Sequence, residues 1–317
     1  MSYPTHLTSP VEAITVRRGT FWVPGDVEQT PAGTVQVGPM HVEWEAAPNA
    51  AGAPIVLIHG GGGQGADWKT TPDGRPGWAD RLVRAGHPVY VVDRPGHGRS
   101  PAHADVVGPV GPQGGYESTA FVFVPRDAGG HARWPWGREA GDAELDQLVA
   151  SAGSLPADIA VGQRRDADRL LRLLAEIGPA VLVAHSAGAP AAWLAAMARP
   201  DLVSGIVAVE PMGPPFAEIP GIGALAHGLT AAEPPAGIEA ALASLARVPV
   251  AVVTGEASVF VPAGHSVADY LAEHGSAVTR IDLPALGIAG NGHGLFFEAN
   301  SDETLAPVRE WIAKLAS

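Results

Sequence analysis

Val181-Leu182-Val183-Ala184-His185-Ser186-Ala187-Gly188 is the stretch on which the fold turns. An apolar, β-branched run ends abruptly in a serine flanked by small residues, and the alanine-rich segment Ala189 to Ala198 follows at once. This is the sequence form of a strand, a sharp turn and a helix, with the serine at the tip. Such a turn holds its serine in a strained, exposed conformation, so its neighbours must be small. The hydroxyl then lies at a helix start, where backbone N–H groups can stabilise an oxyanion. The common elbow pattern is G-x-S-x-G, and here Ala184 stands at the first glycine.

Working outward, Ile55 to Ile58, Val89 to Val92, Ile206 to Val209 and Val250 to Val253 are continuous apolar runs. Such runs suit strands buried on both faces. Helical spacing is predicted between them at Trp78 to Ala85, Asp166 to Ile177 and Glu303 to Leu315, with Gly86 and Gly178 as stops. Val278 to Leu283 reads as a last strand. Alternating strands and helices predict an α/β protein with a mainly parallel sheet covered on both faces. Residues 12–24 and 33–46 alternate around Arg18-Gly19 and Gly38-Pro39, which predicts antiparallel hairpins at the sheet edge. One domain spanning 1–317 is expected. Residues 101–160 and 211–247 break the alternation, rich in Gly, Pro and Ala, and are expected to form a lid or pocket wall.

Composition narrows the function. The 317 residues carry a formal net charge of −13, which disfavours nucleic acid as a partner. There is no cysteine, so disulfides, thiolate catalysis and cysteine zinc sites are excluded. Met1 to Pro10 lacks a basic segment followed by an apolar one, and no apolar run reaches the roughly 18 residues of a membrane span. The expectation is a cytoplasmic protein with no membrane partner. Self-association as a homodimer stays open.

A nucleophilic serine needs a base, an orienting acid and oxyanion donors. Ile58-His59-Gly60-Gly61-Gly62-Gly63 offers the donors after a buried strand, with Gly61 or Gly62 supplying one N–H and Ala187 the other. A phosphate-binding loop is the competing reading, but no G-K-[ST] follows. The base is read as His293 in Gly290-Asn291-Gly292-His293-Gly294, a loop after the last strand. His59 and His97 are read as bonding backbone, and His87, His103, His131, His227, His265 and His274 as surface residues. No histidine pair has metal-ligand spacing with a third ligand, so neither metal nor cofactor is called for. The acid is open between Glu210 and Glu256, each at a strand end between Ser186 and His293. Pro211 biases Glu210 towards an extended backbone, as a carboxylate held at a strand end requires. Asp93 ends an earlier strand and reads as a carboxylate that holds a turn. Trp134, Trp136, Phe216 and Met212 give the two insertions an apolar character. They line a substrate pocket or form small cores that anchor each loop.

Taken in order, HGGGG, DRPGHGRS, AHSAG, VEP and GNGHG resemble the α/β-hydrolase superfamily from about residue 54 to the carboxyl end. Phe21-Trp22-Val23, Gly38-Pro39-Met40 and Thr71 to Trp78 are similar to a group of bacterial serine esterases whose catalytic glutamate follows the sixth strand. The resemblance implies Ser186 as nucleophile, His293 as base and Glu210 as acid. Many relatives place the acid one strand later, which would be Glu256. A member of that group carries two adjacent cysteines in the oxyanion loop, where this chain has glycines. The expected activity is hydrolysis of a small carboxylic ester or lactone. Acyl transfer, amide cleavage or C–C hydrolysis on the same triad, or ligand binding without catalysis, are the alternatives.

Overall fold

The computed structural model describes residues 12–315, apart from residue 32 and residues 104–107, 126–129 and 220–221. The strands are β1 (Arg17–Val23), β2 (Asp26–Thr30), β3 (Gly33–Val37), β4 (Met40–Ala46), β5 (Ile55–Ile58), β6 (Val89–Asp93), β7 (Ala180–His185), β8 (Val203–Val209), β9 (Glu218–Ile219), β10 (Gly223–Ala224), β11 (Val250–Thr254) and β12 (Val278–Asp282). The helices are α1 (Trp78–Arg84), α2 (Tyr116–Phe123), α3 (Ala143–Ser151), α4 (Ile159–Ile177), α5 (Ala189–Ala198), α6 (Ile238–Leu245), α7 (Val261–Glu273) and α8 (Ser301–Lys314). Among the described residues, eight strands form the main sheet in the order β1-β4-β6-β5-β7-β8-β11-β12. The pairs β1–β4 and β4–β6 are antiparallel, and the strands from β6 onward run parallel.

The apolar runs fall where the sheet is covered twice. Alternate residues of one strand point to opposite faces. Leu182 and Ala184 of β7 enter a core with α4, α5 and α6, and Val181 and Val183 enter a second core with α1 and α8. In that second core the Trp68 and Phe296 rings lie 4.2 Å apart and Trp68 and Trp78 5.7 Å apart. Helix α5 is buried almost throughout, which its alanines and small neighbours permit.

The amino-terminal hairpins differ from the sequence expectation. Arg18-Gly19 is no turn: the chain runs straight through it as β1, with Gly19 opposite Trp44 of β4. A Cβ on Gly19 would lie 2.8 Å from Trp44 Nε1, so this glycine makes room for an indole. The strands flanking Gly38-Pro39 do not pair with each other. Instead β3 pairs with β2, an exposed polar strand without apolar alternation to betray it. Helix α4 begins at Ile159, seven residues before the expected Asp166, where the Asp158 carboxylate accepts the Val161 N–H at 3.0 Å. Residues 101–160 supply α2 and α3, tied by the Tyr116 hydroxyl donating to Asp146 at 2.7 Å. Among the described residues, no helix is long and apolar enough to cross a membrane.

The β2–β3 hairpin is fixed from α4. The fully buried Arg169 guanidinium donates to the Gly38 and Val37 carbonyls at 2.8 and 2.9 Å, and to Asp26 at 2.7 Å. Arg169→Met leaves two carbonyls without these donors and is predicted to cost about 2–4 kcal/mol. Urea unfolding followed by circular dichroism measures this; a change below about 0.5 kcal/mol would contradict it.

Candidate active site

Strand register brings three loops together at the carboxyl edge of the sheet. Ile58 of β5 pairs with Ala184 of β7, and His185 of β7 with Val209 of β8. The next residues out are therefore the His59-Gly60 loop, Ser186 and Glu210. Open α/β sheets place their sites at such an edge.

Ser186 begins a single 3₁₀ turn before α5, and its φ is +49°. A non-glycine residue pays for that left-handed conformation with of order 1–3 kcal/mol of strain, held by its surroundings. Here the surroundings are tight. A Cβ on Gly188 would lie 2.4 Å from the His59 carbonyl oxygen, and one on Gly60 would lie 2.5 Å from His185 Nδ1 and 3.2 Å from Ser186 Cβ. Gly61 is equally close, with its would-be Cβ 3.2 Å from that of Ala187. The Met212 N–H closes the elbow from the other side, donating to the Ser186 carbonyl at 3.1 Å. Ser186 itself is half-buried and Ala184 fully buried.

Glu210 and His293 meet behind the elbow. Both are buried, with His293 Nδ1 facing Glu210 Oε2 at 3.5 Å, the long end of hydrogen-bonding range. The other carboxylate oxygen accepts the Gly255 N–H at 2.6 Å. Glu210 has a φ of +46°, not the extended backbone expected before Pro211. The Glu210 N–H donates to the Val253 carbonyl of β11 at 2.9 Å, which helps to fix this conformation. His185 Nε2–H donates to the His293 carbonyl at 3.1 Å, so the histidine loop rests on the residue preceding Ser186. The rings of Phe260, His185 and Phe123 pack around His293 with centroids 4.4, 4.5 and 5.4 Å away.

This apolar enclosure sets the charge states. Burial drives His293 down to about 3. Burial also pushes the Glu210 carboxyl up to about 7, opposed by hydrogen bonds from Ser258 and Gly255 that favour the carboxylate. Glu256 occupies a different setting. It is exposed, and its carboxylate accepts the Gly290 N–H at 2.7 Å, holding the start of the histidine loop.

A cavity of about 300 Å³ opens beside the glycine loop, lined by Gly61, Gly62, Val122, Phe123, Leu155 and Phe297 among others. Gly62, at φ +66°, touches the far wall: its carbonyl accepts the Gly153 N–H at 2.6 Å. The aromatic residues expected to line the pocket fall elsewhere. Trp134 is buried in the second core with Val124 and Leu145, and Trp136 packs edge-on against it at 4.8 Å. Phe216 is 60% exposed and packs on Tyr270. Their size and apolarity bury them as loop anchors or leave them on the rim, and neither property aims a ring at a cavity. Met212 stays near the site, in a narrow cleft with Ala187, Arg94 and Ile222.

A buried polar cluster had no sequence signal. The carboxylate of Glu298 accepts the Gly292 N–H at 2.9 Å, the Asn291 amide at 2.8 Å and His131 Nε2–H at 3.0 Å. His131 is thus buried, not on the surface as its sequence setting suggested. Asp93 does hold a turn, accepting the Gly65 N–H at 2.7 Å and Arg99 Nε at 2.8 Å. His59 and His97 both bond backbone carbonyls.

With its value near 3, the His293 imidazole is predicted to stay neutral from pH 8 down to pH 5. Long-range ¹H–¹⁵N spectra of the histidine rings test this. A His293 resonance that titrates between pH 6 and 7 would contradict it.

Comparisons with known proteins place the fold. "Probable secreted lipase phiG" of a fungal species (Fungal sp., strain ATCC 74256) is 35% identical over 298 residues, 82% of each chain. A novel bacterial esterase of known structure superposes with a TM-score of 0.76 at 25% identity, covering 98% of this chain and 99% of that one. Brefeldin A esterase, a bacterial homologue of human hormone sensitive lipase, shares the fold alone, with a TM-score of 0.53 at 16% identity over 97% of this chain and 78% of that one. The family pattern described as alpha/beta hydrolase fold matches residues 53–229. This chain belongs to the α/β-hydrolase fold family.

Proposed function

We propose that the protein is a serine esterase that cleaves an uncharged carboxylic ester or lactone through an acyl-enzyme. The observation that carries this reading is the convergence of three features on one sheet edge. They are a left-handed Ser186, the buried Glu210–His293 pair and a glycine loop in contact with the elbow. The lipase and esterase relatives support an ester-cleaving hydrolase.

In this mechanism Ser186 Oγ attacks the carbonyl carbon and gives its proton to His293 Nε2. The carbonyl oxygen takes up the charge and is held by the N–H groups of Ala187 and of Gly61 or Gly62. Glu210 orients the Nδ1–H of His293 and stabilises the imidazolium as it forms. His293 Nε2–H then protonates the leaving alcohol as the C–O bond breaks. Water repeats the sequence, giving the acid and free Ser186. The aromatic enclosure fits this role, since it keeps the base unprotonated at rest. Formation of the imidazolium then depends on the nearby carboxylate. No step calls on a metal or cofactor.

The pocket suggests the substrate class. Its walls near Gly61 are apolar, and the carboxyl it contains, Asp67, is pushed up to about 7 by burial. Such a pocket favours an uncharged, medium-sized apolar acyl or alcohol group. The segments 101–160 and 211–247 act in this reading as the wall of a single domain. Secretion is stated of the fungal relative, and it lends the cytoplasmic expectation no support.

Ser186→Ala is predicted to lose label from a fluorophosphonate probe and several orders of magnitude in turnover. Glu210→Gln is predicted to lower kcat by about 10³–10⁴-fold with the fold intact, and Glu256→Gln by far less. Equal labelling of wild type and Ser186→Ala would end the nucleophile assignment. A crippled Glu256→Gln beside an active Glu210→Gln would reverse the acid assignment.

Leu155→Trp, which fills the cavity, is predicted to lower kcat/KM for hexanoyl esters about 10-fold relative to acetyl esters. A panel of p-nitrophenyl esters reads this ratio. An unchanged chain-length preference would place the acyl or alcohol group elsewhere.

A further inference from the structure

Beneath the glycine loop lies a buried ion pair that the proposed chemistry does not use. Arg94 follows β6 directly and is 3% exposed; Asp166 lies on α4 and is 5% exposed. Arg94 Nη1 donates to Asp166 at 2.8 Å, and Arg94 Nη2 donates to the Gly60 carbonyl at 2.7 Å. The Arg94 backbone N–H donates to His59 Nε2 at 3.0 Å. His59 therefore carries its proton on Nδ1, from which it donates to the same Gly60 carbonyl at 2.9 Å. A third donor, the Gly63 N–H, closes on that oxygen at 3.4 Å. One carbonyl oxygen thus gathers three donors, and two of them are set by Arg94.

The consequence follows from peptide geometry. In a trans peptide the C=O and the next N–H lie in one plane and point in opposite directions. Fixing the Gly60 carbonyl therefore fixes the direction of the Gly61 N–H. Glycines without side chains at 60 to 63 would otherwise leave this plane free to rotate. Gly61 borders the cavity of about 300 Å³ and abuts Ala187. Arg94 also borders the narrow cleft beneath Ala187 and Met212.

We propose that Arg94, held by Asp166, is a positioning residue of the oxyanion site, which locks the Gly60–Gly61 peptide so that the Gly61 N–H faces the reacting carbonyl beside Ser186. This rests on the serine esterase reading above. Burying an ion pair is costly, and its replacement by apolar residues is often tolerated. The role assigned here is one that an apolar pair of the same volume would not fill.

The test uses the full-length protein, as wild type, Arg94→Lys and the double variant Arg94→Met/Asp166→Leu. The double variant removes both charges together and so avoids stranding a buried carboxylate. Circular dichroism and thermal melting establish that it folds. Two readouts follow. Hydrogen exchange by mass spectrometry over residues 59–64 needs no catalysis, and is expected to quicken at least about 10-fold in the double variant while β7 stays protected. With p-nitrophenyl butyrate, kcat is expected to fall about 10–100-fold with KM within about 3-fold, less than for outright loss of an oxyanion donor. Affinity for a trifluoromethyl ketone, whose serine adduct carries the oxyanion, is expected to fall by a similar factor. Arg94→Lys, which keeps one donor, is expected to recover part of both losses. Unchanged exchange overturns the proposal, as does faster exchange with unchanged kcat and ketone affinity. Should the wild type itself fail to label at Ser186 with a fluorophosphonate, the esterase reading falls, and this assignment of Arg94 to an oxyanion site falls with it. Unlabelled wild type marks that failure, and labelled wild type with an unmoved double variant marks the failure of Arg94 alone.

Discussion

The site depends on a contact between two stretches of backbone that leaves no space for side chains. The His59-Gly60 turn after β5 and the Ser186–Gly188 turn after β7 approach so closely that a methyl on Gly188 would lie 2.4 Å from the His59 carbonyl oxygen. Parallel pairing of β5 with β7 brings the two turns level, and the small residues let them touch. This contact keeps the glycine loop against the elbow and the elbow in its left-handed form. A bulkier residue at either point would push the glycine loop away from the Ser186 turn.

Around that contact, burial sets the electrostatics. His293 sits among aromatic rings, which hold it neutral, and faces a carboxylate anchored by the Gly255 N–H. Both Ser186 and Glu210 have positive φ, so each arm of the site stores backbone strain at the end of a parallel strand. Tertiary contacts hold that strain: Met212 on the Ser186 carbonyl, and β11 on the Glu210 N–H. The same loops are braced from below by Arg94 and Asp166, and from behind by Glu298 and Asn291.

Much of this was legible in the sequence wherever a pattern has a single physical cause. Continuous apolar strands fixed the parallel centre, because residues covered on both faces cannot alternate. The serine between small residues marked the elbow, and glycines after β5 marked the loop. Legibility failed where one residue type serves several purposes. Gly19 looks like a turn and is room for Trp44. Pro211 argued for an extended Glu210, but pairing with β11 holds a positive φ there. Trp134 and Trp136 read equally as pocket walls or loop anchors, and the structure puts their bulk in a local core. Glu298 and His131 were invisible, since a buried charge partner 167 residues away leaves no local pattern.

The structure of the protein phosphonylated on Ser186 tests the central claim most directly, because the adduct carries an oxygen where the oxyanion would form. The account predicts that this oxygen lies within about 2.7–3.1 Å of the Ala187 nitrogen and of the Gly61 or Gly62 nitrogen. It also predicts that His293 Nε2 lies on the opposite side, towards the leaving-group position. A phosphonyl oxygen turned to solvent, out of reach of these amides, would contradict it.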